Sequence, residues 1–343
     1  MKTNVCECPD RVAVTGVLGY SGRYMARKLV NRGVGIVGLT NSVGKPNPDG
    51  WRLSPLCWDD PVALAESMRG CRALINTYWV RFNSRWFSHA EAVEHTRVLF
   101  EAAAKAGVER IVHISITHPD RDSSLSYFRG KAELERMLES QDIPYSVLRP
   151  AVLFGERPGE DILINNMAWV LRNFPVVGIP ENGEYRLQPI HVEDLAALAV
   201  REAMAEGGEN RVIEAVGPEA YTFRGLFAML GEAIGVKRPV LSVPPWCAFA
   251  AARVMGAFHR DVMLTRDEIR GLMEDRLYVE GAVPAGFSRL SSWARRHAQE
   301  LGRSYACEMA RRRVERYFFQ ETGRAAPGGT GAGRRGVLPC RVA

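Results

Sequence analysis

Short apolar runs alternate with amphipathic stretches through the first half of the chain. The runs at 12–15, 35–40, 73–76, 110–117 and 145–148 read as strands. Their near-continuous apolar character is that of strands buried on both faces. Between them, residues 24–31, 62–68, 89–106 and 126–140 repeat apolar positions at helical spacing. Gly33 and Gly107 are natural helix stops. This alternation predicts a doubly wound α/β fold, a parallel sheet with helices on both faces. Right-handed crossovers then bring the loops after the strands to one edge, where ligands bind. The second half is less regular. Residues 162–173, 193–204 and 222–234 read as helices, the last capped by Thr222. A short strand is expected at 190–192, and a long helical region at 288–317, broken near Gly302. This part forms a small mixed α/β C-terminal lobe in the expected architecture.

The turn Thr15-Gly16-Val17-Leu18-Gly19-Tyr20-Ser21-Gly22 joins the first strand to the first helix. Such a turn presents backbone N–H groups at a helix N-terminus, where a pyrophosphate can sit. Gly16 permits the tight turn, Gly19 lets the backbone approach the phosphates, and Gly22 lets helix and strand pack closely. The candidate cofactor contacts are therefore Gly16, Val17, Leu18, Gly19, Tyr20, Ser21 and Gly22. Dinucleotide binders that select NAD place an acid at the end of the second strand. Here the chain reads Leu39-Thr40-Asn41-Ser42, with Lys45 following and Arg23 just after the third glycine. No carboxylate repels a 2′-phosphate, so NADP(H) is favoured over NAD(H). The expected domains are a flexible N-terminus (1–10), an NAD(P)-binding Rossmann domain (11–155), a substrate lobe with elements returning to that core (156–320), and a disordered basic tail (321–343).

Composition adds little to this picture. At 343 residues, with 46% hydrophobic and 24% charged content, the chain is an ordinary globular protein. Its net charge of +6 is inflated by arginines crowded toward the C-terminus. A solvated helix face and a loose tail account for them, and no nucleic-acid motif accompanies them, so no nucleic-acid partner is expected. The seven cysteines are scattered, without zinc-type spacing, and predict reduced thiols in a cytoplasmic protein. No apolar signal core opens the chain. Residues 243–258 are too short, and too interrupted by prolines and Arg253, to span a bilayer.

The second chemical signal is Tyr127-Phe-Arg-Gly-Lys131. On a helix, positions i and i+4 share a face, and an ammonium beside a phenol lowers the phenol pKa. Just upstream, alternation along His113-Ile-Ser-Ile-Thr117 sets Ser115 and Thr117 on one face. A hydroxyl, a tyrosine and a lysine beside a dinucleotide form a constellation for hydride transfer. Asn76-Thr-Tyr-Trp-Val-Arg-Phe82 follows the fourth strand at the ligand edge. Asn76 is a further cofactor candidate, and Tyr78, Trp79, Arg81 and Phe82 read as a substrate wall or as a loop packed on the C-terminal lobe. Trp169, Arg172 and Arg186 are weaker candidates for that wall. His191 reads as a helix cap and His113 as a residue packed in the sheet. No metal-ligand spacing is present, and no metal is expected.

The glycine turn, Ser115/Thr117, Tyr127/Lys131, Leu148-Arg-Pro-Ala-Val-Leu-Phe-Gly155 and Ile190-His-Val-Glu-Asp-Leu-Ala196 occur in that order. Together they resemble the short-chain dehydrogenase/reductase superfamily, in its extended and atypical branches. Those branches include the NAD-dependent epimerase/dehydratases, the NmrA-like proteins and the reductase-like accessory subunit of respiratory complex I. The resemblance implies that Tyr127 is the general acid/base and that Lys131 binds the nicotinamide ribose. It makes Thr117 the catalytic hydroxyl, with Ser115 as the alternative. The backbone from Pro150 onward would face the carboxamide. The implied activity is NAD(P)-dependent oxidoreduction or epimerisation of a small carbonyl or alcohol. The alternative is a non-catalytic NAD(P)-binding sensor or accessory protein with a protein partner. Two departures stand out. The gap from Thr117 to Tyr127 is shorter than in typical sugar-nucleotide epimerases. Cys57 also stands where many relatives carry an acid toward adenine, with Asp59 and Asp60 slightly later.

Overall fold

The computed structural model describes residues 10–44, 46–84 and 86–309. Lys45 and the basic tail lie outside the described residues. The elements run β1 (Arg11–Thr15), α1 (Tyr20–Val30), β2 (Gly35–Thr40), β3 (Leu53–Pro55), α2 (Pro61–Met68), β4 (Ala73–Asn76), α3 (His89–Ala106), β5 (Arg110–Ile114), α4 (Ser126–Glu139) and β6 (Tyr145–Pro150). The chain continues through β7 (Leu153–Phe154), α5 (Leu163–Asn173), β8 (Val177–Pro180), β9 (Arg186–Leu187), β10 (Ile190–His191) and α6 (Val192–Ala203). It then forms β11 (Arg211–Ala215), β12 (Tyr221–Thr222), α7 (Phe223–Ile234), β13 (Val240–Val243), α8 (Pro245–His259), α9 (Arg266–Met273) and α10 (Leu290–Arg296).

Seven strands form one parallel sheet in the order β11-β6-β5-β4-β1-β2-β3. The strand order reverses between β1 and β4, and the crevice at such a switch point is the usual ligand site. β4 and β5 are buried at every residue, as their apolar sequences require. One sheet face is covered by α1 and α6, around Met25, Leu29 and Leu195. The other packs against α2 and α3, around Leu64, Leu99 and Phe100. A separate apolar cluster of α5, α7 and α10, with Phe154 and Trp293 at its centre, forms the C-terminal lobe. α6 and β11 bring the chain back to the sheet after α5.

Local chemistry sets the element ends. Asp60 caps α2 by accepting from Ala63 N at 2.9 Å, with Pro61 as the first helical residue. α3 begins at Ser88, which accepts from Glu91 N, and stops at Gly107 with φ +77°. Thr222 caps α7 as expected.

Several elements differ from the sequence expectation. α1 starts at Tyr20, not at 24, because Gly19 is its N-cap and Gly22 lies inside its first turn. The strand at 110–117 ends at Ile114, although Ser115 N and Thr117 N still bond to the carbonyls of Leu148 and Pro150. The long helix at 288–317 is, within the described residues, the short α10 followed by turns. The apolar stretch after 243 is a helix, α8, since Pro244 and Pro245 fall at its start, where no intrahelical N–H is lost. Among the described residues no helix is long and apolar enough to cross a membrane. Scattered spacing predicts reduced cysteines. Cys71, Cys247 and Cys307 are outside any disulfide, but Cys57 is disulfide-bonded, because the fold and not the spacing decides which thiols meet.

A close backbone approach occurs at the glycine turn. A Cβ on Gly22 would lie 2.4 Å from the Gly16 carbonyl oxygen and 2.9 Å from that of Thr15. Neither backbone atom can yield without moving α1 off the sheet. Gly22→Ala should therefore cost about 1–3 kcal/mol, as overpacking of a core does. Denaturant unfolding checks this, and a midpoint equal to that of the parent protein would contradict it.

Candidate nucleotide and catalytic site

The glycine turn sits at the switch point, tied to β4 by buried polar groups. Thr15 Oγ1 donates to Asn76 Oδ1 at 2.9 Å and accepts from Thr77 N at 2.7 Å. Thr77 Oγ1 donates back to the Thr15 carbonyl at 2.6 Å. Asn76 Nδ2 in turn donates to His113 Nδ1 at 3.1 Å, so a polar chain crosses the ends of β1, β4 and β5. His113 is fully buried, and burial holds its pKa well below the usual imidazole range. Asn76, expected at the cofactor, is thus enclosed in this network.

Gly16 has φ +61°, which favours glycine, and its missing Cβ leaves room for Thr77 Oγ1. The N-terminus of α1 has no side-chain cap on Gly19 and no acid in its first turn. A helix start of this kind suits an anion. The residues present therefore fit the pyrophosphate of a dinucleotide. At the end of β2, Thr40 Oγ1 accepts from Ser42 N and Asn41 is exposed. Tyr20 and Arg23 are turned toward the segment after β7. The Tyr20 hydroxyl donates to the Gly155 carbonyl, and Arg23 Nη2 pairs with Glu160 at 2.6 Å, beside the bond from the Tyr24 hydroxyl to the same carboxylate.

The catalytic candidates are arranged differently from the expectation. Lys131 Nζ donates to the Ile114 carbonyl at 2.6 Å and lies 4.5 Å from the centre of the Trp79 ring. That indole packs on Gly130, where a Cβ would meet it at 2.8 Å. Burial pushes the Lys131 ammonium down to about 7. Tyr127 shows the opposite sign: burial, and then the charge of Glu268, raise its phenol above the ordinary range. The expected lowering of the tyrosine pKa by lysine is therefore corrected: burial dominates, and the cation that opposes it is Arg81 and not Lys131. Ser115 and Thr117 do not converge either. Ser115 Oγ donates to Glu135, which Arg149 also binds. Thr117 Oγ1 donates to the Arg276 carbonyl at 2.7 Å. The two hydroxyls are thus taken up by different partners, one on α4 and one on the lobe.

A cavity of about 1000 Å³ opens beside Tyr127, between the sheet edge and α8 and α9. Ala151, Val152 and Leu153, following Pro150, form part of its wall. Arg81 and Phe82 line it, and Arg81 also docks on the lobe by pairing with Glu268 at 2.6 Å. Tyr78 faces away, its hydroxyl on His95 and its ring against Trp58. Trp79 lies behind the wall, between His89, Tyr127 and Lys131. Trp169, Arg172 and Arg186 serve the lobe instead: Trp169 packs on His259 and Tyr305, Arg172 bonds the carbonyls of Leu301 and Ala298, and Arg186 pairs with Asp275. His191 caps α6, accepting from Glu193 N.

Three functional neighbours were not anticipated from sequence. His89 lines the cavity, stacks on Trp79 and bonds Ser126 through Nδ1 at 2.8 Å. No local spacing marks it. Glu268 is in the same position, delivered by a helix of the lobe. Glu135 was legible, since it continues the i, i+4 series from Tyr127 and Lys131.

A glycine turn at the switch point of a parallel sheet, with an uncapped helix start and a cavity beyond it, defines an NAD(P)-binding Rossmann protein. The chain belongs to the NAD dependent epimerase/dehydratase family, whose model matches residues 12–215. It is similar to NADH dehydrogenase [ubiquinone] 1 alpha subcomplex subunit 9, mitochondrial, of Dictyostelium discoideum, with 25% identity over 285 residues, 79% of this chain and 77% of the relative. The fold is also that of Citrobacter triphenylmethane reductase complexed with NADP(H), at TM-score 0.67 and 18% identity, over 84% of this chain and 99% of the other. It matches the Escherichia coli NADPH-dependent quinone oxidoreductase QOR2 at TM-score 0.61 and 22% identity, over 90% and 99%.

The depressed Lys131 has a consequence for stability. An unfolded lysine titrates near about 10.4, whereas Lys131 is held at about 7. Between these values the unfolded chain binds more protons, so stability rises with pH. Below about pH 7 the full burial penalty applies. Lys131→Met should flatten this rise, as measured by denaturant midpoints across the window. An unchanged slope would show that Lys131 is not the titrating group.

Proposed function

We propose that this protein binds NADP(H) along the carboxyl edge of the sheet and reduces a carbonyl compound in the adjoining cavity, with Tyr127 as proton donor. The observation that carries this is the phenol itself. Tyr127 borders the cavity, no hydrogen bond to its hydroxyl is found among the described residues, and burial keeps it protonated. A protonated phenol is the form from which a general acid must start, which is the role that carbonyl reduction asks of Tyr127. The nicotinamide, when bound, supplies hydride to the carbonyl carbon. Tyr127 Oη gives its proton to the carbonyl oxygen, and solvent returns it. The C=O π bond is replaced by a C–H and an O–H bond.

Preference for NADP(H) is supported by the end of β2, where Thr40, Asn41 and Ser42 offer no carboxylate to a ribose diol. Arg23 would contribute by exchanging Glu160 for the 2′-phosphate. Titration of the protein with NADPH and with NADH, followed by nicotinamide fluorescence, should give tighter binding of NADPH. Equal or tighter binding of NADH would overturn the preference.

One arrangement favours a second reading, a nucleotide-binding accessory protein without turnover. Lys131 is occupied by Ile114 and covered by Trp79, and Thr117 is spent on Arg276. The similarity to a subunit of a larger enzyme points the same way. Tyr127→Phe separates the two. In the reductase it leaves NADPH affinity intact and lowers kcat by about 10²-fold or more. An absence of carbonyl-dependent NADPH oxidation in the parent protein, with cofactor still bound, would instead select the accessory role.

A further inference from the structure

The cavity beside Tyr127 has a chemistry of its own. Its volume of about 1000 Å³ stands at the upper end of the roughly 300–1,000 Å³ of ordinary ligand sites. The end beside Tyr20 and residues 151–153 is where the nicotinamide would lie, and the space between Phe128, Leu264 and Leu272 is left for the substrate. The walls are apolar on both sides. Ile116, Val152 and Phe128 face it from the sheet edge, and Ala252, Leu264 and Leu272 from the lobe. An apolar wall gives affinity in proportion to the apolar area that it dries.

The charges argue against an anionic occupant. Six carboxylates line the cavity (Glu160, Asp161, Asp261, Asp267, Glu268 and Glu308) against three arginines, Arg81, Arg253 and Arg266. Arg81 is held by Glu268 and by the Met263 carbonyl at 2.9 Å. Arg253 and Arg266 are exposed, both over the ring of Phe249. Among the described residues, no pair of guanidiniums is set to clamp a diphosphate in the interior. A nucleoside diphosphate sugar would bring its charges against largely apolar walls, where desolvation is costly.

We propose that the acceptor is a bulky, uncharged, apolar carbonyl compound, whose hydrocarbon body fills the space between the sheet edge and α8 and α9 while its oxygen meets Tyr127. This rests on the reductase reading above. Hydride goes to the carbonyl carbon and the Tyr127 proton to the oxygen, so the product is the corresponding apolar alcohol and the cofactor is oxidised.

The test is a series of 2-alkanones from six to twelve carbons, bound to the full chain with and without NADP⁺ and measured by calorimetry. NADPH oxidation with the same ketones is followed separately. Affinity should rise by about fourfold per methylene until the cavity is full. UDP-glucose should bind more weakly than the longest ketone. A flat series, or tighter binding of UDP-glucose, would overturn the inference. Tight binding of long ketones without NADPH oxidation leaves the ligand class standing and removes the reductase reading. Oxidation of NADPH with short ketones only does the reverse.

Discussion

The buried bond between Thr15 and Asn76 is the constraint on which the site depends. Its two side chains join the ends of β1 and β4 at the point where the strand order reverses. Two segments of the candidate site hang from that joint: the glycine turn leaves from one strand, and the loop carrying Trp79, Arg81 and Phe82 leaves from the other. Because Thr15 also accepts from the backbone of Thr77 and Tyr78, the second loop starts in a fixed direction. Polar groups enclosed this way cost stability when any member is left unpaired, so the network specifies one arrangement of the strand ends.

Exclusion of water at α4 works in opposite senses on two neighbours. It disfavours the charged form of each group, raising the phenol of Tyr127 and lowering the ammonium of Lys131. The two therefore approach neutrality together instead of stabilising each other as a phenolate–ammonium pair. Trp79 completes the separation by giving the cation an aromatic face. The C-terminal lobe reaches the same region through Arg276 on Thr117 and Glu268 on Arg81. Sheet and lobe thus share the polar groups of the site, and neither half holds the constellation alone.

The sheet was legible in the sequence because its strands are buried on both faces and so read as plain apolar runs. β2, β4 and α3 fall where periodicity places them. β11, an edge strand with exposed Arg211 and Val212, lacks that signature. The glycine turn was legible for a similar reason: its residues are consecutive, and backbone geometry demands glycine there. The rest of the site was less so. Ser115 and Thr117 look equivalent by alternation, but Glu135 takes one hydroxyl and the Arg276 carbonyl the other, partners that spacing does not reveal. Tyr127 and Lys131 share a helix face as their spacing requires, yet spacing carries no information about Trp79, which arrives from another strand. His89 and Glu268 enter the site only through tertiary packing.

The close contact of Gly22 with the carbonyls of Thr15 and Gly16 separates heredity from chemistry. That glycine answers to the seating of a helix on a sheet, whether or not a dinucleotide ever arrives. A descendant that abandoned catalysis would still be held to the same residue by the need to fold. In this lineage the fingerprint is a record of architecture first. Evidence for chemistry has to be sought in polar atoms that the packing does not use, and the Tyr127 hydroxyl at the cavity edge is one of them.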